Sequence, residues 1–211
     1  MSGNPMSSTL NTSSNSQLSH RSGTASASGA SNPSESAAPI YRLARLDDLL
    51  AIVAIYNSTI ASRQVTADTE PVSVESRLQW FHDHAAATRP LWVVEAGALQ
   101  PGAGSAIVGW LSYSNFYGRP AYSGTAELSI YLAEAARGKG LGRTLLQAAI
   151  EYAPQLQIHT LLGFIFGHNQ PSLALFAAFG FATWAHLPRV AVLDAIERDL
   201  LILGKRIDGT V

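Results

Sequence analysis

Arg137-Gly138-Lys139-Gly140-Leu141-Gly142-Arg143 stands between two different periodicities. Upstream, between Gly124 and Leu132, Ala126, Leu128, Ile130 and Leu132 alternate on one face of a predicted strand. Downstream, Leu141, Leu145, Ala149 and Tyr152 recur at helical spacing, and Leu146 and Ile150 widen the stripe. A helix from about Gly140 to about Ala153 would therefore pack against a sheet. The glycine-rich turn between them has two readings. The first is an anion site: the first N–H groups of a helix are unpaired and carry partial positive charge, glycine lets that backbone approach a ligand, and Arg137, Lys139 and Arg143 add to the field. The second is a flexible turn with solvated charges.

Composition narrows the class. A chain of 211 residues with 47% hydrophobic content can bury one sizeable core. A formal net charge of −1 offers no general attraction to nucleic acid or to an anionic membrane, and neither is expected as a partner. The absence of cysteine excludes disulfides, thiolate nucleophiles and cysteine metal sites. His82 and His84 would point to different helix faces and the other histidines are scattered, so no metal is assigned. No apolar run is long enough to span a bilayer. Residues 1–38 are rich in Ser, Asn, Thr and Gly and carry one basic residue, Arg21, among Lys and Arg. They lack the basic start and apolar run of a secretory signal. They are expected to be a disordered tail, followed by one domain over residues 39–208 in a cytoplasmic protein.

Within that domain, Ile40 to Ala44 reads as a strand. Leu49, Ile52, Val53, Tyr56 and Ile60 mark a first helix, capped by Asp47 or Asp48. Val74, Leu78, Phe81 and Ala85 mark a second, with Ser73 as its cap. Leu91 to Glu95 is a strand, residues 96–104 a turn, and Ala106 to Tyr113 another strand. After the glycine turn and its helix come a buried strand at Thr160 to Phe166 and a helix from Asn169 to Phe179. Strands at Arg189 to Leu193 and Asp199 to Ile207 close the chain. The order β-α-α-β-β-β-α-β-α-β-β implies a mixed α/β fold, one sheet with helices on both faces.

The strand before the turn presents Thr125, Glu127, Ser129 and Tyr131 on its second face. If that face meets solvent, Glu127 is a surface acid. If it lines a cleft, Glu127 is a base about ten residues before an anion site. Arg119 and Tyr122 precede this strand, with Phe116. Arg119 is either a clamp for a substrate carboxylate or an exposed loop charge. Arg77 reads as a structural or rim residue, and Trp110 as core.

Arg137-x-x-Gly140-x-Gly142 matches the acetyl-CoA pyrophosphate motif of the GNAT N-acetyltransferases, and the element order resembles their fold, in which a splayed central sheet is flanked by helices. Asn169-x-x-Ser172 and Phe179-Gly180-Phe181 are similar to the family's next helix. Tyr56-Asn57-x-x-Ile60, Thr66, Glu70-Pro71, Arg77 and Trp80-Phe81 resemble the first segment of phosphinothricin acetyltransferase-like proteins, which also share the Glu127-x-Ser129-x-Tyr131 pattern. The resemblance spans about Tyr41 to Ile207. It implies acetyl transfer from acetyl-CoA to the primary amine of a small amino-acid-like acceptor, in a homodimer.

It further implies roles for particular residues. The turn from Gly138 to Arg143, with Leu141 and Gly142 inside it, holds the pyrophosphate. The strand backbone at Ile130, Tyr131 and Leu132 pairs with the pantetheine amides as an added strand would. Asn169 and Ser172 approach the coenzyme. Glu127 acts as general base, through water. Phe116, Arg119 and Tyr122 form the acceptor end. The chain departs from the family at Phe176, where a His or Tyr is common. Phenylalanine donates no proton, so Tyr131, His168 or solvent must serve the leaving thiolate. Two alternatives follow: an acyl-CoA sensor without turnover, for which Phe176 argues, and a protein N-acetyltransferase.

Overall fold

Seven strands hydrogen-bond into one sheet whose two faces are covered by different helices. A computed structural model describes residues 40–99 and 106–207. These belong to one compact unit, Ala38–Val211. The expected tail, residues 1–38, and part of the expected turn, residues 100–104, lie outside the described residues. The elements are β1 (Tyr41–Leu43), α1 (Leu49–Ile60), α2 (Leu78–His82), β2 (Leu91–Glu95), α3 (Ala96–Leu99), β3 (Ile107–Asn115), β4 (Thr125–Leu132), α4 (Leu141–Tyr152), β5 (Thr160–Phe166), α5 (Gln170–Ala178), β6 (Ala182–Leu193) and β7 (Ile196–Arg206). The order is the one read from the sequence, with the short α3 added.

The strands lie in the order β1-β2-β3-β4-β5-β7-β6, and only β4 and β5 run parallel. Alternation along β2 sends Leu91 and Val93, with Trp110 of β3, toward Ile52 and Ile55 of α1. Trp92 and Val94 face the other way. There they join Leu111, Tyr113, Ala126 and Leu128 against the α4 stripe of Leu141, Leu145, Leu146 and Ala149. The Tyr113 hydroxyl donates to the Ala149 carbonyl at 2.8 Å and fixes α4 to that face. Glu127, on the opposite face of β4 from Ala126 and Leu128, therefore lies on the α1 side of the sheet.

Two elements differ from their sequence readings for local reasons. The α2 helix ends at His82, short of Ala85. The His84 ring Nδ1 bonds the Trp80 carbonyl at 2.7 Å, the acceptor that a continuing helix would offer to residue 84's own N–H. That N–H turns instead to the Phe81 carbonyl. The C-terminal strands are longer than expected. They are joined by a two-residue turn at Asp194 and Ala195, with φ of 51° and 63°, the geometry usually signalled by glycine or asparagine. Pro188 lies within a register shift of the edge strand β6, which interrupts the strand pattern there.

Ser73 does not cap α2, whose N-cap residue is Arg77; its hydroxyl accepts from the Ser76 N–H at 3.1 Å in the 3-10 turn that precedes the helix. Asp48 precedes α1 without capping it by its side chain. Its carboxylate instead accepts from the Arg42 guanidinium at 2.7 Å and from the Arg45 N–H at 2.7 Å.

Candidate active site

The parallel ladder between β4 and β5 is short. Thr125, Ala126 and Glu127 pair with Thr160, Leu161 and Leu162, and there the pairing stops, although both strands continue. Beyond Glu127, β4 is paired only with β3. Its backbone groups on the β5 side are left open to an incoming extended ligand. A cleft of about 600 Å³ occupies the gap, lined by Leu128 to Leu132 on one strand and Phe164 to Phe166 on the other.

At one end of this cleft lies the glycine turn. Arg137, Gly138, Gly140, Leu141, Gly142 and Arg143 all line it. Gly138 and Gly140 have φ of 73° and 81°, values that disfavour any side chain. A Cβ added at either would meet no atom within 4 Å, so the backbone there faces open space. Gly140 is the N-cap of the twelve-residue α4, and no side chain caps that helix. Its first N–H groups remain available to an anion. The Arg137 Nε donates to the Leu132 carbonyl at 3.1 Å, which ties the turn back to β4. Arg143 lies over the Phe179 ring at 4.9 Å. Lys139 is exposed and outside the lining.

A second, smaller cleft of about 180 Å³ opens on the α1 side of the sheet. Its walls are aromatic, with Tyr56, Trp80, Trp110 and Tyr131, and its polar residues are Arg77, Ser112, Ser114, Glu127 and Ser129. The strand register explains the polar floor: Ser112 lies opposite Ser129 and Ser114 opposite Glu127 across the β3–β4 ladder. Ser129 and Tyr131 line both clefts, so the two meet at β4. Glu127 lines only the smaller one.

The Glu127 carboxylate forms no hydrogen bond or ion pair with any described residue, and burial alone pushes its pKa above the ordinary glutamate value. Of the two readings left open by the sequence, the β4 face is thus a cleft floor and not a solvated surface. Tyr131 is also raised, first by burial and then by the nearby Tyr56 and Glu127, so its phenol stays protonated at neutral pH. Its ring stacks on Trp110 at 4.4 Å, and its hydroxyl donates to the Val65 carbonyl at 3.5 Å. Trp110 is both core and wall: it is 3% exposed and its indole N–H donates to the Ile52 carbonyl at 3.2 Å.

The other expected site residues are placed as follows. Asn169 and Ser172 line the larger cleft. Asn169 caps α5 by accepting from the Ser172 N–H at 3.2 Å, and its amide donates to the Gln64 carbonyl at 3.0 Å. Phe116, Arg119 and Tyr122 line neither cleft. Phe116 and Tyr122 pack on each other at 5.4 Å, and Arg119 is exposed. Phe176 is 5% exposed, packs edge-on against Phe181 and reaches the lining of the larger cleft. His168 lines neither cleft, and its Nε2 is bound to the Arg63 carbonyl at 2.7 Å. The sequence reading passed over Arg77 and Trp80 as cleft residues. It also omitted Ser112 and Ser114, although their alternation with Trp110 on β3 was a usable signal.

The model of the acetyltransferase (GNAT) family matches residues 52–181. A Bacillus subtilis protein named "Putative phosphinothricin acetyltransferase YwnH" is 54% identical over 166 residues, covering 79% of this chain and 98% of its own length. An L-methionine sulfoximine/L-methionine sulfone acetyltransferase of Pseudomonas aeruginosa is 31% identical over 169 residues, covering 80% of this chain and 95% of its own. The crystal structure of a GNAT superfamily phosphinothricin acetyltransferase from Sinorhizobium meliloti, in complex with AcCoA, is 26% identical. It superposes with a TM-score of 0.72 and covers 79% of this chain and 87% of that one.

Proposed function

The chain belongs to the acetyltransferase (GNAT) family, and from that premise we propose that it moves acetyl from acetyl-CoA directly to the primary amine of a small amino-acid-like acceptor. The observation that carries this reading is the meeting of the two clefts at Ser129 and Tyr131, with the half-buried Glu127 on the side of the smaller one. The larger cleft suits an extended, anionic ligand: unpaired β4 backbone along its length, and an uncapped helix N-terminus with two open glycines at its end. The smaller cleft suits one small molecule. Its small volume, about 180 Å³, argues against a polypeptide acceptor.

In this scheme the acceptor ammonium gives its proton to Glu127, directly or through water. The freed nitrogen forms the C–N bond as the C–S bond breaks, the nitrogen sheds its second proton to solvent to give the neutral amide, and the thiolate leaves. A carboxylate with a raised pKa is a better match to an ammonium than an ordinary one. The thiolate takes its proton from solvent: burial raises the Tyr131 pKa, which makes that phenol a weaker acid, and its hydroxyl already donates to the Val65 carbonyl. His168, held outside both clefts by the Arg63 carbonyl, does not serve either. A cytoplasmic location follows in the same proposal from the need for acetyl-CoA. A homodimer belongs to the same proposal on separate grounds, the exposed apolar Trp184, Val190 and Val192 of the edge strand β6. A monomer in sedimentation would refute the dimer.

The test is thiol release from acetyl-CoA across a panel of amino-acid acceptors, with mass-spectrometric identification of the product. Release should depend on the acceptor, and Glu127→Gln should lower kcat by about 100-fold to 10,000-fold with little change in acetyl-CoA affinity. Tight acetyl-CoA binding with no acceptor-dependent release would instead mark an acyl-CoA sensor.

A further inference from the structure

We propose that the segment after α1, Ser62 to Val65, is a strap across the larger cleft, and that Asp194 at the β6–β7 turn is the positioning residue that latches it and so sets how fast acetyl-CoA enters and leaves; this rests on the coenzyme reading of that cleft above. Ser62, Gln64 and Val65 line the cleft, together with Thr59 of α1. Three successive carbonyls of the segment each accept a hydrogen bond from a different side chain. The Arg63 carbonyl accepts from His168 Nε2 at 2.7 Å, the Gln64 carbonyl from Asn169 Nδ2 at 3.0 Å and the Val65 carbonyl from the Tyr131 hydroxyl at 3.5 Å. Tyr131 belongs to β4, whereas His168 and Asn169 lie between β5 and α5. The segment is therefore fastened on both sides of the gap in which β4 and β5 no longer pair. It crosses the path of an extended ligand lying along β4.

The bend in the strap needs support from outside it. Arg63 has φ of 53°, a left-handed value that a residue with a side chain keeps only when its surroundings hold it. Its guanidinium provides that hold. Nη1 donates to the Thr69 carbonyl at 3.1 Å, while Nε and Nη2 donate to the two carboxylate oxygens of Asp194 at 2.9 Å and 3.0 Å. Two parallel bonds of this kind are the arrangement in which an arginine fork matches a carboxylate. The pair joins the end of the first helix to the tip of the last hairpin, 131 residues later. Neither Arg63 nor Asp194 lines a cleft, so the pair acts on the coenzyme only through the strap. An exposed ion pair adds little to the stability of a whole fold. On a short segment with few other ties, the same interaction shifts the balance between a strap lying across the groove and one lifted from it.

The experiment measures association and dissociation of acetyl-CoA on the full chain by surface plasmon resonance, with thermal melting to verify that each variant is folded. Asparagine tolerates the left-handed turn position, so Asp194→Asn removes the charge and keeps the turn. Asp194→Asn and Arg63→Met should each raise both rate constants by roughly twofold to fivefold, the scale of one exposed pair, with a smaller change in Kd. A latch alters the barrier to passage, so both rates move; loss of a contact to the ligand would raise the dissociation rate alone. In the Arg63→Met background, Asp194→Asn should add nothing, because its partner is already gone. Glu197→Gln is the control: it removes another exposed charge of the same hairpin, 3.7 Å from Arg189, and should leave both rates unchanged. Unchanged rates in Asp194→Asn, a rise in dissociation alone, or an equal rise in Glu197→Gln overturns the latch and leaves acetyl transfer standing. Wild-type protein that binds no acetyl-CoA overturns the coenzyme reading and the latch with it.

Discussion

Gly140→Ala separates what the glycine turn does for the fold from what it does for the ligand. Gly140 has φ of 81° and is the N-cap of α4, and a Cβ there would touch nothing within 4 Å. The cost to the protein alone is thus conformational: an L-residue in the left-handed region loses about 1–2 kcal/mol. At about 2–4 °C per kcal/mol for a domain of this size, the melting temperature should fall by about 2–8 °C. Gly118 provides the control. Its φ is 59°, a Cβ there also meets nothing within 4 Å, and it lines neither cleft. Gly118→Ala should cost the same stability. Only Gly140→Ala should also weaken acetyl-CoA binding, because its methyl group stands between the phosphates and the backbone N–H groups at the start of α4. Losing one charge-assisted hydrogen bond is worth about 1.5–3 kcal/mol, or roughly a tenfold to hundredfold rise in Kd by calorimetry. Equal losses of melting temperature with no change in Kd for Gly140→Ala would refute the pyrophosphate-loop reasoning.

Two further outcomes can be checked by pH and by melting. Glu127 has a pKa raised by burial, so kcat/KM should fall as pH drops through a value above the ordinary one of about 4.3, and that limb should vanish in Glu127→Gln. The stability sign is opposite to that of a salt-bridged carboxylate. With the folded pKa above the unfolded one, the favourable contribution is complete below the unfolded pKa and lost as pH rises through the folded pKa. Glu127→Gln should therefore melt above the wild type at neutral pH, with the gap closing in acid; a gap that is constant with pH would contradict an ionising buried carboxylate. Phe176→Ala should cost about 3–5 kcal/mol, since the ring is 5% exposed and packed against Phe181, and the melting temperature should fall by about 6–20 °C. A change under 2 °C would mean that the ring is not part of the core.

What could be read in advance depended on the range of the determining contacts. The Arg137–Gly142 turn was legible because a period-two strand, a run of glycines and a period-3.6 helix succeed one another within thirty residues. The two faces of β4 were legible for the same reason, but not which face met solvent, because α1 and α2 supply the cleft walls from far upstream. The place of Arg77 in the cleft wall was opaque because it is set by Asp68, nine residues away through an irregular segment, and by Tyr56 on another helix. The end of α2 was set by one side chain, His84, competing for a backbone carbonyl. The β6–β7 turn uses Asp194 and Ala195 at positive φ, and an alanine there gives no compositional warning. Arg119 is adjacent in sequence to the Glu127 strand, yet the loop that carries it places it outside both clefts.

The place where β4 and β5 part also gives Phe176 a physical role. Pairing ends at Glu127 and Leu162, and the next residue of β5 is Gly163. A Cβ at Gly163 would lie 2.6 Å from Cε1 of Phe176, so the ring rests directly on that glycine's backbone. The aromatic side chain of α5 thus fills the space beside β5 at the point of divergence, and the missing Cβ makes room for it. Continued pairing would satisfy the β4 backbone at Ser129 and Tyr131 from within the protein and leave nothing for an extended ligand to bond. A ring wedged at Gly163 supports the open arrangement through packing, which needs volume and no ionisable group. Phenylalanine at this position donates no proton, and the proposed transfer does not require one from the protein, because the leaving thiolate is protonated by solvent. On this argument Phe176 serves the reaction by holding the groove open, and the proposed transfer chemistry needs no acid on α5.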